Sequence, residues 1–263
     1  MSRSSSVKSK DGTSISFDRT GSGPVLILIE PAGHYRALSA FDELVPLLAQ
    51  DFTVCRYDRR GRGESGDTPP YRPEREAEDL EALVRKVGGH AFVYGYSSGA
   101  LLALHATALG VPLAGVVLME PTLQDETREN SDPLTGQLDE LTKAGRDEDA
   151  VELFHSSIGV PDEMICDMRG TDRWMGMISV APTLVYDCRL SDAMGPEVLS
   201  AVSVPTLILD SEGSSDDLTG SAATAARRIP GARHKSLPGE WHVVAPDLIA
   251  AEIKEFLLDE AMV

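Results

Sequence analysis

The chain has 263 residues, enough for one α/β domain or two small ones, and its 42% hydrophobic and 25% charged residues are ordinary for a globular protein. Its 24 basic and 42 acidic residues leave a net charge of −18, which repels phosphate backbones and anionic membranes and argues against nucleic acid or a lipid surface as partner. Cys55, Cys166 and Cys188 are odd in number and lack metal-ligand spacing, so neither a disulfide framework nor a zinc site is expected. No apolar leader opens the sequence and no run reaches transmembrane length, so a reducing cytoplasm is the expected location.

In chain order, residues 1–6 read as a frayed tail, and residues 7–10 and 13–18 flank Asp11-Gly12, a hairpin signal. Residues 25–29 are continuously apolar, as in a strand buried on both faces of a parallel sheet. The loop Glu30-Pro31-Ala32-Gly33-His34 follows, and residues 39–50 read as a helix. A strand over 52–57 runs into the glycine-rich turn 58–66, which lacks the Gly-x-x-x-x-Gly-Lys-Ser/Thr of a phosphate loop. Residues 74–87 form an amphipathic helix, 91–96 a β-prone run, 98–109 a helix and 113–119 another buried strand ending at Glu120-Pro121.

Residues 122–203 break this rhythm with an acidic linker at 124–132, helical patterns at 138–144 and 147–155, and a Met-rich stretch around Met164, Met168, Trp174, Met175 and Met177. They are expected to form a helical lid inserted into a core made of residues 1–121 and 204–263. Strand 207–209, helix 218–228, edge strand 234–237 and helix 245–258 complete the chain. Strands alternating with helices at this spacing predict an α/β fold with a mostly parallel, doubly wound sheet.

The chemistry centres on Gly95-Tyr96-Ser97-Ser98-Gly99, where a strand stops at a serine that opens a helix. Such a turn is too sharp for side chains two residues before and after, and it aims the helix N–H groups at charge developing near the serine. Ser97 is the expected nucleophile and needs a base held by a carboxylate. Of six histidines, His242 stands in the loop leaving the last strand at its carboxyl end, where open α/β sheets place their chemistry. His90, His105, His155 and His234 are worse placed, while His34 lies beside the oxyanion loop and is a candidate substrate contact, as is Trp174 in the lid. For the acid, Glu120 ends an apolar strand, where an unpartnered charge is costly. It is favoured over Asp216, which would need a longer loop; the usual position on that later loop is held by Ser214. The Ser98 N–H supplies one oxyanion donor and the Gly33 N–H the other, with Ala32 as the alternative.

Together, the Ala32-Gly33 loop, the turn 58–66, the elbow and His242 before the last helix resemble the α/β-hydrolase superfamily over residues 12–258. A looser similarity is to small actinobacterial α/β hydrolases and zearalenone-type lactonases. Ser97-Ser98-Gly99-Ala100, Glu120-Pro121, Leu237-Pro238-Gly239 and Trp174 with Pro182 carry it. Glu30-Pro31 departs from the family's usual His-Gly. The resemblance implies an α/β-hydrolase fold and hydrolysis of a carboxylic ester, most specifically a lactone of a large apolar molecule, with no metal or cofactor. A non-lactone esterase, a carbon–carbon bond hydrolase or an acyltransferase on the same triad, a ligand receptor or accessory protein without turnover, and a homodimer all stay open.

Overall fold

The computed structural model describes residues 4–123 and 133–260, so the acidic linker expected at 124–132 lies outside the described residues. β1 (Ser5–Lys8) and β2 (Ser14–Gly21) make the expected hairpin around Asp11-Gly12. Ser5 and Ser6 pair with Phe17 and Ser16, so the strand begins inside the stretch expected to fray. A ladder of backbone hydrogen bonds holds this polar strand, and such pairing leaves no mark in composition.

β3 (Val25–Ile29), α1 (Leu44–Leu48), β4 (Thr53–Tyr57), α2 (Pro73–Val87), β5 (Ala91–Tyr96), α3 (Ser98–Ala108) and β6 (Leu113–Met119) alternate as expected. The exception is α1, five residues long where the pattern predicts a helix over 39–50. Pro46 explains the difference: it has no N–H to bond a carbonyl four residues back, so the chain can only enter the helix just before it. α2 follows the sequence closely. Pro73 opens it, Glu74 and Glu76 sit in its first turn, Arg85 and Lys86 in its last, and Ala77, Leu80, Leu83 and Val84 face the core.

Between β6 and β7 (Thr206–Ser211) the described residues form α4 (Pro133–Lys143), α5 (Asp147–Ser157), α6 (Asp162–Met168), α7 (Asp172–Ser179), α8 (Leu184–Asp192) and α9 (Pro196–Ala201). These inserted helices have their own core, in which Leu138, Val151, Phe154, Trp174, Met177 and Leu184 are buried together. α10 (Asp216–Arg228), β8 (Arg233–Leu237), β9 (Gly239–Glu240), β10 (Val243–Val244) and α11 (Pro246–Glu260) complete the chain.

The main sheet has the order β1-β2-β4-β3-β5-β6-β7-β8, parallel from β4 to β8 and antiparallel at β1 and β2. Residues of α2, α3, α9 and α10 bury their apolar faces on one side and those of α1 and α11 on the other. Such a doubly wound sheet exposes the carboxyl ends of its parallel strands as a platform for loops. The ends of β3, β5, β6 and β7 (Ile29, Tyr96, Met119 and Ser211) deliver Glu30, Ser97 and Glu120 to that edge.

Candidate active site

Ser97 leaves β5 with φ 53° and ψ −118°, in the left-handed region that costs an L-residue about 1–3 kcal/mol. Two glycines make that turn sterically feasible. A Cβ on Gly95 would lie 2.5 Å from the Gly99 carbonyl oxygen, and one on Gly99 would lie 2.2 Å from that of Ile29. The Ser97 N–H donates to the Met119 carbonyl at 2.9 Å, tying the elbow to the end of β6. Ser98 is the first residue of α3, so its N–H has no carbonyl a turn earlier to bond and points out of the helix end.

Glu120 follows β6 with φ 44°, and its N–H donates to the Leu209 carbonyl at 2.9 Å. Its side chain is fully buried. Oε1 accepts from the Ser211 N–H at 2.8 Å, and Oε2 accepts the hydrogen bond of His242 Nδ1. Burial pushes this carboxyl up, but the hydrogen bond and charge of His242, with the Ser211 N–H and Ser214 hydroxyl, bring it below its ordinary value. Ser214, at the position where the later loop would carry an acid, thus serves the glutamate. Its oxygen also accepts from the His242 N–H at 2.9 Å.

His242 is held more rigidly than a loop residue. β9 and β10 pair antiparallel, Val243 opposite Glu240, so Trp241 and His242 are the two turn residues of a tight hairpin and His242 takes φ 55°. Ser211 Oγ donates to the Glu240 carbonyl at 2.6 Å and fixes that hairpin to the end of β7. The Tyr96 ring packs 4.9 Å from the His242 ring, and the Tyr96 hydroxyl donates to the His242 carbonyl. The imidazole therefore stands beside the elbow residue preceding Ser97, with Nδ1 committed to Glu120. Among the described residues Ser97 Oγ makes no hydrogen bond, and catalytic hydrogen bonds often tighten only when substrate binds.

The remaining candidates are dispersed. Asp216 is exposed in the first turn of α10 and makes no hydrogen bond to His242. His90 is exposed, His105 is buried in α3, His155 Nδ1 donates to the Val151 carbonyl at 2.7 Å, and His234 Nε2 donates to Asp210 Oδ2 at 2.6 Å. Gly33 (φ 70°) lies under the inserted helices, where an added Cβ would be 3.6 Å from Met177 and 3.9 Å from Leu184. His34 is almost fully buried and Nδ1 donates to the Ala32 carbonyl at 2.8 Å, so Nε2 is left to accept from Arg173 at 2.8 Å. Burial depresses its pKa to about 4, which keeps it neutral. Trp174 is buried within the inserted helices and its Nε1 donates to Glu148 at 3.0 Å.

Sequence reasoning missed a buried charge network behind the loop expected to carry an oxyanion donor. Arg59 makes a bidentate pair with Glu76 at 2.6 and 2.7 Å and donates to Asp187 Oδ1 at 2.7 Å and to Ser98 Oγ at 3.2 Å. Arg62 donates to Asp187 Oδ2 at 2.6 Å, to the Pro31 carbonyl at 2.8 Å and to that of His34 at 3.2 Å. Burial pushes the Asp187 carboxyl up, but Arg62, Arg59 and the Ser98 hydroxyl bring it below the ordinary value. Asp187 belongs to inserted helix α8, so one carboxylate joins the insertion to both loops that carry the expected oxyanion donors. The available signal was three arginines in one glycine-rich turn, since arginines are rarely buried unless paired. Among the described residues no cluster of three or more His, Cys, Asp or Glu could hold a metal, and no helix is long and apolar enough to cross a membrane.

Residues 20–252 match the alpha/beta hydrolase family. An alpha/beta hydrolase from Sphaerobacter thermophilus DSM 20745 has a similar structure, with 42% identity and a TM-score of 0.88 over 96% of this chain and 100% of that one. Esterase RhEst1 from Rhodococcus sp. ECU1013 shares the fold at 21% identity and a TM-score of 0.73, covering 97% of this chain and 98% of its own. The enol-lactonase from Burkholderia xenovorans LB400 does so at 22% identity and a TM-score of 0.69, covering 94% and 98%. No curated protein matches the chain.

Proposed function

Because the chain belongs to the alpha/beta hydrolase family, we propose that it is a serine hydrolase cleaving a carboxylic ester through Ser97, His242 and Glu120. The observation that carries this reading is the buried Glu120 carboxylate bonded to His242 Nδ1 beside a strained Ser97 at the mouth of α3. Ser97 attacks the ester carbonyl while His242 Nε2 takes its proton, and Glu120 holds the imidazole tautomer and stabilises the imidazolium. The Ser98 N–H and that of Gly33, or of Ala32 beside it, face the tetrahedral oxyanion. His242 then returns the proton to the leaving alcohol, and water activated by the same histidine releases the acyl group from Ser97.

The inserted helices act as the lid, and their apolar residues favour an ester with an apolar body. A lactone is the narrowest form of this reading. It rests on the Ser97-Ser98-Gly99-Ala100 and Glu120-Pro121 resemblance to zearalenone-type lactonases.

Turnover of p-nitrophenyl butyrate and of a macrocyclic resorcylate lactone tests the proposal. Both activities are expected to vanish in Ser97→Ala and to collapse in Glu120→Ala. No turnover, together with a Ser97 inert to a fluorophosphonate, would overturn it in favour of a ligand receptor.

A further inference from the structure

At the lid side of the oxyanion loop stands a cation that no carboxylate among the described residues offsets at ion-pair distance. Arg173 lies on α7, and Nη2 donates to His34 Nε2 at 2.8 Å. His34 spends its own N–H on the Ala32 carbonyl at 2.8 Å, so it meets the guanidinium as a neutral acceptor. The contact therefore fixes Arg173 without cancelling its charge. The two buried arginines behind the same loop differ: Arg59 is matched by Glu76 and Asp187, and Arg62 by Asp187. Among the described residues no carboxylate lies within ion-pair distance of Arg173, although the chain as a whole carries −18.

Position ties this cation to the reacting centre. Arg173 and Met177 are four residues apart on α7 and so share a face. Met177 is the side chain that would touch a Cβ on Gly33, at 3.6 Å. The charge of Arg173 is felt by His34, by His155 and by the Tyr96 phenol next to Ser97. The residue is exposed, so a ligand can reach it, and His34 beneath it is buried. A guanidinium has five N–H donors in a planar fork matched to a carboxylate, and His34 takes only one.

From this geometry we propose that Arg173, oriented by His34, is a subsite for a carboxylate on the substrate, so that the preferred ester carries a free acid group beyond its apolar body. His34 is then a positioning residue, not a direct substrate contact. This rests on the serine-hydrolase reading for its place in turnover, but the binding event stands without it. The net charge of −18 disfavours anions over the surface at large, so a fixed cation at this spot sets it apart from its acidic surroundings.

The test pairs two esters of equal chain length, p-nitrophenyl hexanoate and mono-p-nitrophenyl adipate. Wild type is expected to favour the adipate ester in kcat/KM, and Arg173→Gln to reduce that preference about 10-fold to 100-fold, the range for losing a hydrogen bond to a charged group. Arg173→Lys keeps the charge but not the fork and is expected to fall between them. A preference ratio unchanged within about twofold in Arg173→Gln overturns the subsite, whatever happens to the absolute rates. Hexanoate turnover reports on the hydrolase reading separately. If neither ester is turned over, calorimetric titration with free adipate decides: at least about 10-fold weaker binding to Arg173→Gln supports the subsite, and equal binding or none to wild type overturns it.

Discussion

Glu120 and His242 meet in a hydrogen bond although each stands at positive φ, 44° and 55°, on a different element. Ser97, at φ 53°, is the third described residue other than glycine in that region. Strain of this kind persists only where the surroundings over-determine it. Here Glu120 is held by the Leu209 carbonyl and the Ser211 N–H, and His242 by a two-residue hairpin and Ser214. The coincidence of all three strained residues at one edge of the sheet marks where the fold is specified most tightly.

The two acids make the first prediction. Glu120→Gln removes the charge that stabilises an imidazolium and unsettles the tautomer, and kcat for a p-nitrophenyl ester is expected to fall about a thousandfold or more. Asp216→Ala removes an exposed carboxylate without a link to His242, so the same assay should stay within about twofold of wild type. The reverse ranking would move the acid to the later loop.

Much of this site is legible in the sequence because its signals are local. Gly95, Ser97 and Gly99 sit between a strand and a helix pattern, and Glu120 is an ionisable group at the end of an apolar run. His242 is picked out by its place after the last sheet strand. What escapes is what depends on distance or on very short elements. Asp187 lies 128 and 125 residues from the arginines it joins, and no periodicity links them. The hairpin around His242 has strands of two residues each, too short for any pattern to show. Trp174 is buried in the insertion's own core, and apolar sequence alone cannot separate that placement from a pocket roof.

Asp187 is the second test. Removing one partner of a buried ion pair leaves the others uncompensated, so Asp187→Ala is expected to cost about 3–5 kcal/mol in urea unfolding. Arg62 would lose the anchor from which it reaches the Pro31 and His34 carbonyls, so the oxyanion loop should loosen as well. Asp187→Asn keeps the shape and half the acceptors. It should fold well enough to show lowered kcat with KM changed less, if, as proposed, the loop N–H groups Arg62 holds in place act most strongly on the transition state.

Gly99 gives a purely steric prediction. An alanine there places a methyl group 2.2 Å from the Ile29 carbonyl oxygen, a contact with backbone at the end of β3 that no rotamer relieves. Gly99→Ala should lower stability by about 3 kcal/mol, seen as a drop in Tm. Gly136→Ala, with open space where its Cβ would be and a helical position in α4, should raise Tm slightly or leave it unchanged.

Glu30 makes the last prediction, in pH. It follows β3 at the start of the loop 30–34, nearly fully buried, with the Ser39 hydroxyl bonded to one oxygen and the Ala40 N–H donating to the other at 3.0 Å. Burial pushes its carboxyl from 4.5 up to about 7, against those two hydrogen bonds and the charge of Arg56. The folded state therefore holds its proton more tightly than the unfolded chain does. Its contribution is fully present below the unfolded value and is lost as pH rises through the folded one. Between pH 4.5 and about 7 the unfolded chain releases the proton first, so stability declines by about 3 kcal/mol across that window and levels off above it. Glu30→Gln keeps an acceptor for Ala40 and a donor for Ser39 but has no proton to lose. Urea unfolding of both proteins from pH 4.5 to 8.5 should give similar stabilities at the acid end and a variant that is the more stable above neutrality. Parallel curves would mean that Glu30 stays ionised throughout and that Arg56 and the loop amides compensate its burial.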